Sequence, residues 1–204
     1  MPHIVFVCTA NLCRSPMAEH LMRERLKARN VGWTVSSVGT HARPGASLDP
    51  NARAVLRRRG APAPRNWASR VMSAKVLQSA DLVLAVTHAH LTWVMTLAPS
   101  MSRRAFVMGQ FATLLDNASG SAVSPQDLIA LATTARALIQ PYDPAADDIA
   151  DPIGGDERVF EQCADRIEVM LSSITRLIAP GEGEPTTSDD PPSLRRQSRR
   201  NQQR

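Results

Sequence analysis

Cysteine is scarce in this chain: Cys8, Cys13 and Cys163 are the only three in 204 residues. A small, odd number argues against a disulfide framework and fits a reducing compartment, where a thiol can serve as a reactive group. Long apolar runs are absent too. None approaches the ~20 residues that a bilayer-spanning helix needs, so no transmembrane segment is expected. The opening stretch, Met1-Pro2-His3-Ile4-Val5-Phe6-Val7, lacks the basic flank and cleavage site of a signal peptide, and its apolar part is too short for one. These absences point to a cytoplasmic protein. Lysine is nearly missing: Lys27 and Lys75 are the only two, so the net charge of +5 rests on arginine. A mildly basic chain suits an anionic substrate and calls for no obligatory nucleic-acid partner. Cys8 and Cys13 lack further ligands at a useful spacing for zinc; no metal and no cofactor are expected.

What is present reads as one globular domain followed by a tail. Hydrophobic residues are 43% and charged residues 21% of the chain, an ordinary balance for a domain with its own core. Val5 to Val7 form a continuous apolar run, as in a strand buried on both faces. Ser15-Pro16 reads as a helix N-cap followed by proline at the first helical position, with Ala18, Leu21, Met22 and Leu26 at helical spacing. Trp33 to Val38 is a second strand. Asp49-Pro50 repeats the cap-plus-proline signal for a helix that stops at Gly60. Leu82 to Val86 and Ala105 to Met108 are third and fourth strands, with Thr87 capping a helix between them. Ser124-Pro125 starts another helix carrying Leu128, Ala132, Ala135 and Leu138 or Ile139. After a loop rich in Asp and Pro (140–155), a last helix from Asp156 to Ile178 places Phe160, Cys163, Ile167, Leu171 and Ile174 on one stripe. The tail 180–204 is nearly devoid of apolar residues and is expected to be disordered. Strands alternating with helices predict an α/β fold with a parallel sheet and helices on both faces. Such sheets bind ligands at the carboxyl ends of their strands.

The loop after the first strand is therefore the place to look. It reads Cys8-Thr9-Ala10-Asn11-Leu12-Cys13-Arg14-Ser15-Pro16. Five residues between Cys8 and Arg14 make a tight loop before a helix, where backbone N–H groups and the helix N-terminus form an anion-binding nest. That field favours a thiolate at Cys8, a nucleophile near neutral pH. Arg14 can hold two phosphate oxygens in its planar fork, and Ser15 can give its hydroxyl to the Cys8 sulfur. The spacing alone also fits a small buried cysteine and a solvated arginine; its position at a strand end before a helix decides for a ligand site.

The run Val7-Cys8-Thr9-Ala10-Asn11-Leu12-Cys13-Arg14-Ser15-Pro16-Met17-Ala18-Glu19 resembles the N-terminal signature of the low-molecular-weight protein tyrosine phosphatases. Ser37-Val38-Gly39-Thr40, Asp49-Pro50 with Ala54-Val55-Leu56 and Gly60, Ala80 to Leu84, and Asp148-Ile149-Ala150-Asp151-Pro152 before Phe160 are similar to further segments of that family. The resemblance covers roughly residues 3–178 and several ordered motifs. It implies a three-layer fold with a four-stranded parallel sheet and a metal-free, two-step hydrolysis through a cysteinyl-phosphate. It assigns Cys8 as nucleophile, Arg14 as phosphate clamp and Asp151 as general acid, with Asn11 shaping the loop and Ser15 assisting the sulfur. Thr9, Ala10, Asn11, Leu12, Cys13 and Ser15 would line the phosphate, and the substrate would be a phosphotyrosine-containing protein or a small aryl phosphate. An acid is needed because a phenol, with a pKa of about 10, leaves poorly without a proton. Asp143-Pro144 competes with Asp151 by local sequence, and the family context before the last helix favours Asp151.

The chain departs from the family at three places. Ala10 stands where the family usually has Gly, which would strain the loop at positive φ. Trp67 stands where many members have a His supporting the loop, and an indole cannot accept a hydrogen bond. Ile153-Gly154 replaces two tyrosines, removing an aromatic wall; Tyr142 is the only tyrosine. His41 could line the other wall or be a solvated loop residue, and the sequence assigns no role to His88 or His90. Two other functions stay open on this fold: a small-thiol-dependent arsenate reductase, and a phospho-ligand binder with weak or no turnover.

Overall fold

The computed structural model describes residues 1–135 and 143–179. The expected disordered tail (180–204), the end of the Ser124 helix at Leu138 or Ile139, and Tyr142 lie outside the described residues. Four strands, β1 (His3–Cys8), β2 (Thr34–Gly39), β3 (Leu82–Ala85) and β4 (Ala105–Val107), pair in parallel in the order β2-β1-β3-β4. The helices are α1 (Arg14–Ala28), α2 (Pro50–Arg58), α3 (Ala74–Gln78), α4 (His88–Leu97), α5 (Met108–Asp116), α6 (Pro125–Ala135), α7 (Pro144–Asp147) and α8 (Glu157–Arg176).

Alternate residues of each strand feed two cores, as the period of two demands. Ile4, Phe6, Leu82, Leu84 and Phe106 face the larger one, shared with Met17, Leu21, Leu56, Phe111, Ile167 and Leu171 of α1, α2, α5 and α8. Val5, Val7, Val38, Val83 and Ala105 face the other, with Leu77 of α3 and Val94 of α4. The result is the expected three-layer α/β fold. The chain leaves β1 toward β2 on one side of the sheet and reaches β3 on the other, so β1 ends at the switch point where open α/β sheets bind ligands.

Several caps were legible. The Asp49 carboxylate accepts from the backbone N–H groups of Asn51 and Ala52, with Pro50 at the first helical position. Thr87 caps α4 through the N–H of His90; α8 carries a cap not read from the sequence, Asp156, which accepts from the N–H of Val159. The reading of Ser15 as an N-cap is corrected: α1 begins at Arg14, Cys13 stands at the cap without a side-chain bond, and the Ser15 hydroxyl turns elsewhere. Helix α5 was not anticipated, because it follows β4 with no capping side chain and carries Gly109 in its first turn, a poor helix former. That glycine lets α5 lie against α7: a Cβ there would stand 2.3 Å from the Asp147 carbonyl oxygen.

At the end of β2, Gly39 accepts from Met72 N–H and donates to the Arg70 carbonyl, while Thr40 and His41 donate to the carbonyls of Cys8 and Thr9. A Cβ on Gly39 would lie 2.4 Å from the Thr9 oxygen and 2.8 Å from the Asn11 nitrogen. The strand therefore presses on the loop with no room for a side chain. Gly39→Ala is expected to destabilise the protein by about 1–3 kcal/mol, the usual cost of overpacking, read from the urea midpoint at unchanged m-value.

His20 of α1 is 3% exposed and its Nδ1 lies 2.9 Å from Arg23 Nη1. Burial pushes its pKa down from 6.5 to about 4. The unfolded chain then binds the proton more readily than the folded one, so this residue costs nothing above pH 6.5 and weakens the fold as pH falls toward 4. At 1.36 kcal/mol per pKa unit the loss is about 3 kcal/mol. Urea unfolding at pH 7 and pH 4 is expected to show a smaller acid loss in His20→Leu than in wild type.

Candidate active site

Cys8, the last residue of β1, and Arg14, the first of α1, bracket the loop. Between them, Asn11 takes the left-handed conformation with φ of 54°, which asparagine tolerates better than most residues. Ala10 has no positive φ, so the strain expected there does not arise. Asn11 is fully buried and its amide is fully used. Its Nδ2 donates to Ser15 Oγ at 3.0 Å and Ser37 Oγ at 2.8 Å, and its Oδ1 accepts from Arg70 N–H at 2.9 Å. Ser37 donates onward to Glu19 Oε2 at 2.6 Å, and the buried Glu19 carboxylate is held by Arg23 and Arg70. The loop support thought to be at risk from Trp67 thus comes from other residues. Trp67 is 8% exposed and packs in the core, with Asn11 anchored on the Arg70 backbone. Ser37, Glu19 and Arg70 were missed in the sequence; only their fold-dependent convergence reveals them.

The Ser15 hydroxyl lies 2.9 Å from Cys8 Sγ and 3.3 Å from the Val38 carbonyl. Cys8 is 2% exposed, at the bottom of a narrow cleft. Arg14, 5% exposed, donates to the Ile149 carbonyl at 3.1 Å, to Thr9 Oγ1 at 3.4 Å and to the Asp151 carboxylate. The cleft above the sulfur is lined by Cys8, Ala10, Leu12, Cys13, Arg14, Asp151 and Ile153 and has about 10 Å³ of free space. Arg14 and Asp151 are joined across it, so the carboxylate occupies the guanidinium edge that faces the cleft residues.

The loop that carries Asp151 is tied down at three points. Ile149 N–H donates to the Val86 carbonyl, Arg14 holds the Ile149 carbonyl, and Asp148 accepts from the backbone N–H of His88 at 2.9 Å and pairs with its Nδ1 at 2.7 Å. Asp143 precedes α7, where its carbonyl accepts from Ala146 and Asp147; it does not line the cleft. Every cysteine is a free thiol. Burial, with Asp49 adding to it, pushes the Cys13 thiol well above the usual range, and burial pushes Cys163 up to about 12. His41 meets Trp93 edge-on, with ring centroids 4.9 Å apart. No group of three or more His, Cys, Asp or Glu side chains placed to hold a metal occurs among the described residues, and no helix among them is long and apolar enough to cross a membrane.

Residues 3–128 match the family model described as low molecular weight phosphotyrosine protein phosphatase. The chain is 27% identical to the protein-arginine-phosphatase of Bacillus subtilis, over 85% of this chain and 94% of the relative. It is 30% identical to a low molecular weight protein-tyrosine-phosphatase of Streptomyces coelicolor, over 84% and 90%. Among solved structures, the YwlE arginine phosphatase from Geobacillus stearothermophilus superposes with a TM-score of 0.65 at 26% identity, covering 86% of this chain and 92% of that one. The family model spans more than half of the chain and relatives align along most of it, so the protein belongs to the low molecular weight phosphotyrosine protein phosphatase family.

Proposed function

We propose that this phosphatase hydrolyses aryl phosphate monoesters, phosphotyrosine in proteins above all, through a phosphocysteine at Cys8. The observation that carries the reading is the Ser15 hydroxyl donating to Cys8 Sγ at 2.9 Å, in a cleft that the paired Arg14 guanidinium and Asp151 carboxylate also line. The substrate phosphate displaces Asp151 from Arg14 and takes two of its N–H donors, a planar fork matched to phosphate oxygens. Freed from Arg14 and set beside the phosphate charge, Asp151 takes up a proton from solvent; the Cys8 thiolate then attacks phosphorus, the S–P bond forms as the ester P–O bond breaks, and the leaving oxygen takes that proton from Asp151. Water next gives a proton to the Asp151 carboxylate and its oxygen attacks phosphorus. The S–P bond breaks, and the Ser15 hydroxyl stabilises the departing sulfur.

Leu12 and the half-exposed Ile153 offer apolar flanks to a substrate ring, and the cleft is narrow enough to favour a flat one. The same reading puts the enzyme in the cytoplasm, where Cys8 stays reduced. Phosphoarginine is the second reading, favoured by the relatives from Bacillus subtilis and Geobacillus stearothermophilus, whose names specify that activity. Turnover of matched phosphotyrosine and phosphoarginine peptides separates the two: the higher kcat/KM is expected for phosphotyrosine, and the reverse order overturns the choice.

Cys8→Ser and Arg14→Ala are each expected to lower aryl phosphate hydrolysis by at least roughly 10³-fold, the scale of losing a nucleophile or a transition-state donor. A chelator is expected to change nothing, since Arg14 and the loop carry the phosphate charge. Full activity in Cys8→Ser would defeat the mechanism. Asp151→Asn is expected to slow phenyl phosphate by about 10²–10⁴-fold and an activated nitrophenyl ester much less, while Asp143→Asn stays near wild type. A crippled Asp143→Asn with an active Asp151→Asn would reassign the acid.

A further inference from the structure

His90 takes no part in the steps above, yet it joins the phosphate loop to α4. It is 6% exposed, and its ring stands between two hydroxyls. Nδ1 lies 2.6 Å from Thr87 Oγ1, and Nε2 lies 2.8 Å from Thr9 Oγ1. Thr87 Oγ1 already accepts the backbone N–H of His90 at 3.3 Å as the cap of α4. Thr9 Oγ1 already accepts from Arg14 Nη2 at 3.4 Å. Burial, reinforced by the Arg14 charge, pushes the imidazole pKa down to about 4, so at neutral pH the ring carries one N–H and one acceptor nitrogen.

The two tautomers differ in what they leave for a ligand. With the proton on Nδ1, the ring donates to Thr87, and the Thr9 O–H is spent on Nε2. With the proton on Nε2, the Thr87 O–H donates to Nδ1 and the ring donates to Thr9. The Thr9 oxygen then receives two donors, from His90 and Arg14, and its own proton is left for a third partner. Thr9 stands behind the residues that line the cleft, and its hydroxyl meets the same Arg14 Nη2 that pairs with the Asp151 carboxylate, so a phosphate that takes the place of Asp151 on that nitrogen comes beside Thr9 Oγ1. A phosphate that turns an unprotonated oxygen to Thr9, as a monoester dianion must and as inorganic phosphate does with three of its four oxygens, selects the second tautomer.

We propose that His90 is a positioning residue for phosphate: donating from Nε2 to Thr9, it turns the Thr9 hydroxyl into a donor aimed at a bound phosphate oxygen. The Thr87–His90–Thr9 chain supplies a fixed donor beside Arg14 without adding a charge. It rests on the reading of this loop as the phosphate site, and it concerns binding of the group rather than the covalent step.

The test uses the full chain and inorganic phosphate as the probe, its Kd measured directly by titration calorimetry. Thr9→Val and His90→Leu are each expected to weaken phosphate about tenfold, the scale of a hydrogen bond to a charged group, and the double variant no further than either alone. His90→Gln keeps a donor at the Nε2 position and an acceptor toward Thr87, and is expected to hold Kd within about threefold of wild type. Nitrogen-15 NMR of the phosphate complex is expected to place the His90 proton on Nε2. Additive losses, an unchanged Kd in Thr9→Val, or a proton on Nδ1 in the complex overturns the proposal; if His90→Leu fails to fold, Thr9→Val, His90→Gln and the NMR assignment still decide. Wild type that binds phosphate but hydrolyses no ester defeats the proposed activity and leaves the role of His90 to these readouts, whereas wild type that binds no phosphate overturns the role of His90.

Discussion

The site depends on the buried amide of Asn11. A loop that wraps an anion has to turn its backbone sharply, and here one non-glycine residue takes the left-handed turn. Placing a polar side chain in a closed interior is costly unless each of its donors and acceptors is used. Asn11 meets that condition through three partners from three separate segments: Ser15 on α1, Ser37 on β2, and the Arg70 backbone before α3. The network ends on Glu19, a buried carboxylate offset by two arginines and a serine. Removing one member strands the others in a low-dielectric interior, so the loop geometry is held by the set. Gly39 completes the constraint from the outside, because β2 runs against the loop at backbone distance.

The other half of the site comes from the far end of the domain. Asp151 belongs to a loop before α8, more than a hundred residues after Arg14. It reaches the cleft because the preceding residues are fastened to the end of β3 and the start of α4 by Ile149 and Asp148. The same turn of α4 carries His90 to Thr9. One short helix therefore positions both the acid loop and the phosphate loop, and Arg14 contacts both. Under the proposed function, that arrangement couples phosphate entry to movement of Asp151, since both anions would compete for one guanidinium.

Much of this was written along the chain. The continuous apolar run of β1, the caps at Asp49 and Thr87, and the stripe on α8 are local patterns, so they were legible one segment at a time. The spacing of Cys8, Arg14 and Ser15 was legible for the same reason, since it is read within one short segment between a strand and a helix, although the groups that hold the loop in shape come from elsewhere. Elements without a local signal escaped: α5, entered directly from β4 with no capping side chain, and α7, inside a stretch read as loop. The role given to Ser15 as a cap was a local rule overridden by a stronger local demand, a hydroxyl beside the Cys8 sulfur.

What the sequence determined by itself was the fold class and the loop at the end of β1 with its cysteine, arginine and serine, because these follow from periodicity and short-range geometry. What only the tertiary structure decided was which distant groups complete the loop. Glu19, Ser37 and Asp148 fall inside segments the sequence singled out, but like Arg70 and His90 they had no role assigned, because their partners lie far away along the chain. Their meeting follows from strand order and from the requirement that every polar group enclosed by the fold find a partner, a condition that exists only once the chain has packed.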